Sequence, residues 1–197
     1  MNSGGQLRRP GRLLVISGPS GVGKGTLISK VLPHLKDAVL SRSATTRPRR
    51  NEEKQGREYY FLTPEEFEDR VKAGDFLEHV KYGANRYGTL GSEVVKQLDT
   101  GKSVLLEIEL EGARNIRSRM PEAVLVFIAP PSVEELRLRL AGRNTEAGAE
   151  REVRLERAGE ELASQDEFDY IVVNRTVDQA AKELEKVIKS TLEGGRS

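Results

Sequence analysis

The stretch Gly18-Pro19-Ser20-Gly21-Val22-Gly23-Lys24-Gly25-Thr26 decides how the rest of this chain is read. Its spacing, G-x-x-x-x-G-K, is that of a P-loop. Glycines let successive N–H groups turn inward around a polyphosphate, the helix that follows adds positive potential at its N-terminus, and the lysine reaches the β- and γ-phosphates. The flanks agree. Arg12 to Ser17 (RLLVIS) is a short apolar run that fits a buried parallel strand, and from Lys24 onward Leu27, Ile28, Val31, Leu32 and Leu35 recur at helical steps. A glycine-rich turn in another α/β protein could share the glycines, but not this order of strand, loop, lysine and amphipathic helix. The motif asks for Ser or Thr directly after the lysine to hold Mg2+. Here that position is Gly25, so either Thr26 supplies the hydroxyl or the metal is met through water only.

Outward from the loop, three more apolar runs read as buried strands: Ser103 to Leu110, Ala123 to Pro130 and Asp169 to Asn174. Helical stretches separate them; one follows Ser132, which stands three residues before Glu135 at capping-box spacing, and the last covers Val177 to Leu192. Strands spaced by helices predict right-handed crossovers and an α/β fold with a doubly wound parallel sheet. Two segments break the rhythm. Residues 43–91 are polar and aromatic, with all the tyrosines except Tyr170, and residues 142–158 are charged and poor in large apolar side chains. The expected organisation is a core of 11–42, 92–141 and 159–192, a substrate-binding insertion at 43–91, a helical lid at 142–158, and flexible tails at 1–10 and 193–197.

Bulk properties narrow the class. The 197 residues carry 32 basic and 31 acidic side chains for a net charge of +1, so nothing predicts wholesale attraction to nucleic acid or to a membrane surface. There is no cysteine, which excludes disulfides and thiolate metal sites, and the two histidines, His34 and His79, have no metal-ligand spacing. No run approaches a membrane span and the N-terminus lacks a signal-peptide core. A cytoplasmic protein, monomeric or homo-oligomeric and with no obligatory protein partner, is expected.

Within the first insertion, Ser43-Ala44-Thr45-Thr46-Arg47-Pro48-Arg49-Arg50 packs three arginines into four positions, and guanidinium forks match phosphate oxygens. The run continues to Gly56-Arg57-Glu58-Tyr59, then Phe76-Leu77-Glu78, then Tyr87-Gly88-Thr89. This set, S-x-T-T-R-x-x-R, G-x-x-Y, F-x-E and Y-G-[ST], resembles guanylate kinase, and the resemblance runs from Arg12 to Leu192. It implies transfer of a phosphoryl group from ATP to GMP, and to dGMP, with Mg2+ as cofactor. The loop from Gly18 to Thr26 would bind ATP. Arg47, Arg50, Tyr59 and Tyr87 would bind the GMP phosphate, and Ser43, Glu78 and Thr89 would read the guanine. A carboxylate can accept from both N1–H and the 2-amino group of guanine, an edge that adenine does not offer, and a site built on such pairing rejects analogues strongly. Arg49 replaces the family's usual proline and is expected to face solvent; His79 is expected to pack.

The same resemblance implies that Glu107 lies toward Mg2+ through its waters and Glu109 toward GMP, the latter one methylene longer than the usual aspartate. Their alternate positions in a strand would put both carboxylates on one side of it. Gly142-Arg143-Asn144-Thr145-Glu146 matches the lid entry, so Arg139, Arg143 and Arg154 would clamp the triphosphate, and Asn174 would touch adenine. Two rival readings share parts of this pattern. A guanylate-kinase-like interaction domain would use the acceptor cleft for phosphopeptides, but with a damaged P-loop. A kinase for a ribose phosphate would lack the guanine-reading insertion.

Overall fold

The computed structural model describes residues 11–141 and 158–193. Leu13–Ser17 (β1) is buried at every position, as a strand covered on both faces must be. It pairs in parallel with Ser103–Glu107 (β7) on one side and Val124–Ala129 (β8) on the other. Ala38–Leu40 (β2) adds to β7, and Tyr170–Val173 (β9) to β8, giving a five-stranded parallel sheet of order β2-β7-β1-β8-β9. Alternation along β1 divides the core between the two faces. Leu14 and Ile16 pack with Leu27, Ile28 and Val31 of Lys24–Val31 (α1) and with Leu184 and Ile188 of the last helix, Val177–Glu193. Leu13 and Val15 pack with Val94 of Gly91–Asp99 (α3) and with Ala113 and Ile116 of Leu110–Arg119 (α4). This is the doubly wound architecture that the sequence predicts.

Two expectations need correction. The edge strand β2 goes unnoticed in the sequence because three residues, Ala38-Val39-Leu40, carry too little pattern to separate a strand from a loop. Strand β7 also ends at Glu107 rather than Leu110, and Glu109 is the N-cap of α4 in extended conformation. Glu107 and Glu109 are therefore not alternate residues of one strand; a strand end and a helix start bring them to the same place.

Residues 43–90 build a second sheet of order β4-β3-β6-β5, from Ser43–Thr45 (β3), Tyr60–Phe61 (β4), Phe76–Tyr82 (β5) and Asn85–Leu90 (β6). Pro64–Lys72 (α2) covers one face, held at its start by a complete capping box. Thr63 Oγ1 accepts the Glu66 N–H at 3.1 Å, and the Glu66 carboxylate accepts the Thr63 N–H at 2.8 Å. The core beneath is small: Ala44, Phe67, Phe76 and Leu90, with the Phe67 and Phe76 rings stacked 4.4 Å apart. His79 meets both rings edge-on, so it packs as expected.

The pairing of β5 with β6 slips between Phe76 and Glu78, a bulge at Leu77. Strict alternation would put Phe76 and Glu78 on one face. With the extra residue, Phe76 enters the small core while Glu78, Val80 and Tyr82 line a cleft on the other side.

Candidate active site

The loop between β1 and α1 takes the shape its glycines permit. Gly18 has φ 141°, and a Cβ there would stand 2.3 Å from the Ile128 carbonyl oxygen, so no side chain fits. Lys24 is 8% exposed, and its ammonium donates to the carbonyls of Gly18 and, at 3.4 Å, of Pro19. Glu109 Oε1 lies 3.8 Å away on the other side. Asn174, buried at the end of β9, braces the loop from below: its Nδ2 donates to the Val22 carbonyl at 2.8 Å, and its main-chain carbonyl accepts from Arg139 Nη2 at 3.1 Å. Gly23, with φ 99°, leaves the room that this amide occupies, since a Cβ there would come within 2.8 Å of Nδ2.

Facing the loop is a cleft of about 860 Å³, lined by Ser20 and Lys24 on one side, by Ser43, Tyr59, Glu78 and Tyr87 on the other, and by Glu107 and Glu109 at its floor. Strand register explains the second wall. Ser43 stands opposite Thr89, and Thr89 opposite Glu78, so three neighbouring strands deliver three polar side chains in one row. Thr89 Oγ1 donates to Glu78 Oε1 at 2.7 Å, whereas Glu78 Oε2 is buried with no hydrogen-bond partner among the described residues. Burial raises the pKa of Glu78, against the hydrogen bonds from Thr89.

Next to this row lies the basic end. Arg47 donates through Nη2 to Glu53 Oε1 at 2.7 Å and through Nη1 to the Pro48 carbonyl at 2.8 Å, with its guanidinium 5.5 Å from the centre of the Tyr59 ring. Glu53 Oε2 accepts the Arg50 N–H at 2.8 Å. One carboxylate thus holds the Arg47 guanidinium and the Arg50 main chain. The pair raises the pKa of Arg47 and lowers that of Glu53, chiefly by their mutual hydrogen bond. Tyr59 stacks edge-on against Tyr87 at 6.2 Å, and burial, then the Glu107 charge, raises its pKa. Glu107 opens to the cleft yet is enclosed by protein, and that enclosure raises its pKa against the opposing charge of Lys24. A Cβ on Gly25 would lie 3.5 Å from both Glu107 oxygens, so this carboxylate stands over the first turn of α1.

A single cleft therefore joins a P-loop lysine to a half-satisfied buried carboxylate, with Arg47 behind the tyrosine that lines it. The guanylate kinase family model matches residues 10–191. A guanylate kinase from Rubrobacter xylanophilus is 47% identical over 95% of this chain and 98% of that protein. One from Leifsonia xyli is 50% identical over 90% of this chain and 70% of its own length. The crystal structure of guanylate kinase from Anaplasma phagocytophilum superposes with a TM-score of 0.76 at 33% identity, covering 93% of this chain and 87% of that one. The chain belongs to the guanylate kinase family.

Of the residues expected in a guanylate kinase site, the structure gathers Ser20, Lys24, Ser43, Tyr59, Glu78, Tyr87, Glu107 and Glu109 around one cleft, with Thr89 behind Glu78 and Arg47 behind Tyr59. The Arg50 and Arg49 side chains are exposed. Thr26 is exposed on the first turn of α1. Arg139 sits on Val133–Ala141 (α5), bonded to Glu135 at 3.0 Å as well as to Asn174. Arg143 and Arg154, with residues 142–157 of the lid expected at 142–158, lie outside the described residues. Glu53 is a functional residue that the motifs do not mark; its one signal is an acidic position six residues past Arg47, shared with Glu52 beside it. Nor do the motifs mark Arg119, whose Nη1 donates to the carbonyls of Phe76 at 2.9 Å and Leu77 at 3.0 Å and so ties α4 to the bulge of β5. Nothing in sequence spacing announces that tie.

Proposed function

We propose that this guanylate kinase transfers the γ-phosphoryl of ATP to GMP, and to dGMP, with the donor on the P-loop and the acceptor against the second sheet. The observation that carries the reading is the row Ser43–Thr89–Glu78 with its unpartnered Oε2, across one cleft from Lys24. An unpaired buried carboxylate oxygen costs free energy unless a ligand donates to it, and guanine offers two adjacent donors.

Catalysis of phosphoryl transfer is mainly alignment and charge neutralisation, because the transition state is loose and its charge spreads over equatorial oxygens. Lys24 turns from the Gly18 and Pro19 carbonyls to the β- and γ-phosphates. Arg47 and Arg50, with the hydroxyls of Tyr59 and Tyr87, fix the acceptor phosphate, already an anionic nucleophile that needs no general base. Arg139, with Arg143 and Arg154, closes over the transferring group and excludes water. Glu109 releases Lys24 and turns to the acceptor.

No group of three or more His, Cys, Asp or Glu side chains that could hold a metal ion occurs among the described residues. Glu107 over the first turn of α1, the turn that also carries Thr26, fits a hard cation with oxygen ligands. Glu107 through water, and Thr26, would hold Mg2+, which supplies neutralising charge on the β- and γ-phosphates. No helix of the described residues is long and apolar enough to cross a membrane, and the charge is balanced, which supports a cytoplasmic enzyme acting on small molecules.

ADP formation with ATP plus GMP, AMP, UMP or CMP in turn tests the proposal. Turnover with GMP alone is expected. Equal use of AMP overturns the base-reading role of Glu78, and no turnover with any acceptor favours the interaction-domain reading.

A further inference from the structure

We infer that Gly112, on the core helix α4, is a specificity-determining residue: its missing side chain is the space in which the Glu78 carboxylate stands to read the base. Gly112 is buried in the first turn of α4, where alanine would ordinarily serve better, because glycine within a helix costs up to about 1 kcal/mol relative to alanine. A Cβ at that position would lie 2.8 Å from Glu78 Oε2, 3.3 Å from its Cδ and 3.3 Å from Ile108 Cδ1. The atom displaced is the one buried oxygen of Glu78 with no partner among the described residues. Glu78 has little room to yield. It is 3% exposed, its other oxygen is engaged by Thr89, and Arg119 holds the neighbouring backbone of β5 against the same helix.

A methyl group at position 112 therefore rotates or lifts the carboxylate out of the row with Ser43 and Thr89. The P-loop, on the opposite wall of the cleft, is left as it was. Selectivity for the base is thus written jointly by a strand of the second sheet and a helix of the parallel-sheet core.

This inference rests on Glu78 reading the base, and the experiment separates the two. Steady-state kinetics are measured for wild type, Gly112→Ala, Glu78→Ala and the double variant, varying GMP, AMP and ATP. Gly112→Ala is expected to raise KM for GMP at least roughly tenfold and to narrow the preference for GMP over AMP, with KM for ATP within about twofold of wild type. In the Glu78→Ala background, where no carboxylate remains to be displaced, adding Gly112→Ala is expected to change GMP use little, a non-additivity that a packing defect would not produce. The inference is overturned if Gly112→Ala keeps the wild-type KM for GMP, if GMP and ATP suffer equally, or if the two substitutions add. If Glu78→Ala itself keeps the full preference for GMP, the base-reading role fails instead.

Discussion

The two sheets of this guanylate kinase hold their ligand-facing residues by different means. In the parallel sheet, β1 is buried throughout and apolar clusters fill both faces; the P-loop is shaped by backbone, by a buried lysine and by the amide of Asn174. The second sheet rests on four buried apolar residues. Its ligand side is positioned by polar contacts: Thr89 on Glu78 and Glu53 on Arg47. Such a region draws little stability from burial and opens at lower free energy than the core it leans on. The proposed donor site, shaped by backbone and buried side chains, thus faces a proposed acceptor site held by a few replaceable contacts.

That contrast can be broken in several ways. The largest effect belongs to the donor side. Lys24→Ala is expected to lower kcat by about two to three orders of magnitude, the cost of one preorganised charge contact, with circular dichroism unchanged. Near-normal turnover would remove the lysine from the mechanism. Phe67→Ala comes next: truncating a fully buried aromatic costs about 3–5 kcal/mol, more than so small a core can absorb. Titration calorimetry should then find GMP binding lost and ATP binding kept; loss of both together would mean that the two sheets form one cooperative unit.

Glu53→Gln keeps the shape but weakens the charge-assisted bond to Arg47, and is expected to raise KM for GMP about tenfold without altering that for ATP. The effect should shrink in high salt. The smallest effect is one of pH. Because burial raises the pKa of Glu78 in the native state, ionising it weakens stability as pH rises from the ordinary carboxylate range through the native value. GMP donors favour the ionised form, so KM for GMP should climb as pH falls through that native pKa. That climb should be present in wild type and absent from the profile of Glu78→Gln, which has no carboxyl to titrate at this position.

How much of this was legible in the sequence follows the same division. Apolar runs and helical steps announce buried elements, so β1, β7, β8, β9 and the crossovers are readable from the residues alone. The P-loop is readable too, since its glycines answer a local backbone demand. Short elements such as β2 and β4 hold too few residues for any period to appear. The residues proposed for the acceptor share a joint motif, which does not give their arrangement. That Ser43, Thr89 and Glu78 share a row depends on strand register, and that Glu109 caps α4 depends on where β7 stops. Gly112 and Arg119 act across tertiary contacts between segments more than 30 residues apart, which no periodicity encodes.

The bulge at Leu77 acts as a skipped letter in a strand otherwise read in alternation. Leu77 stands outside the register, so Phe76 and Glu78 face opposite ways because the ladder counts them as neighbours. Deleting Leu77 would make them true neighbours and keep both facings. Adding or removing a residue between Glu78 and Tyr82 would instead reverse every side chain on one side of the change. The skipped letter therefore serves attachment more than orientation. Its carbonyl is one of the two that Arg119 grips, and its side chain packs into the apolar cluster that α4 shares with β1. Without it the strand would keep its spelling but lose one of the two carbonyls and the apolar contact that moor Glu78 beside the helix whose glycine makes room for it.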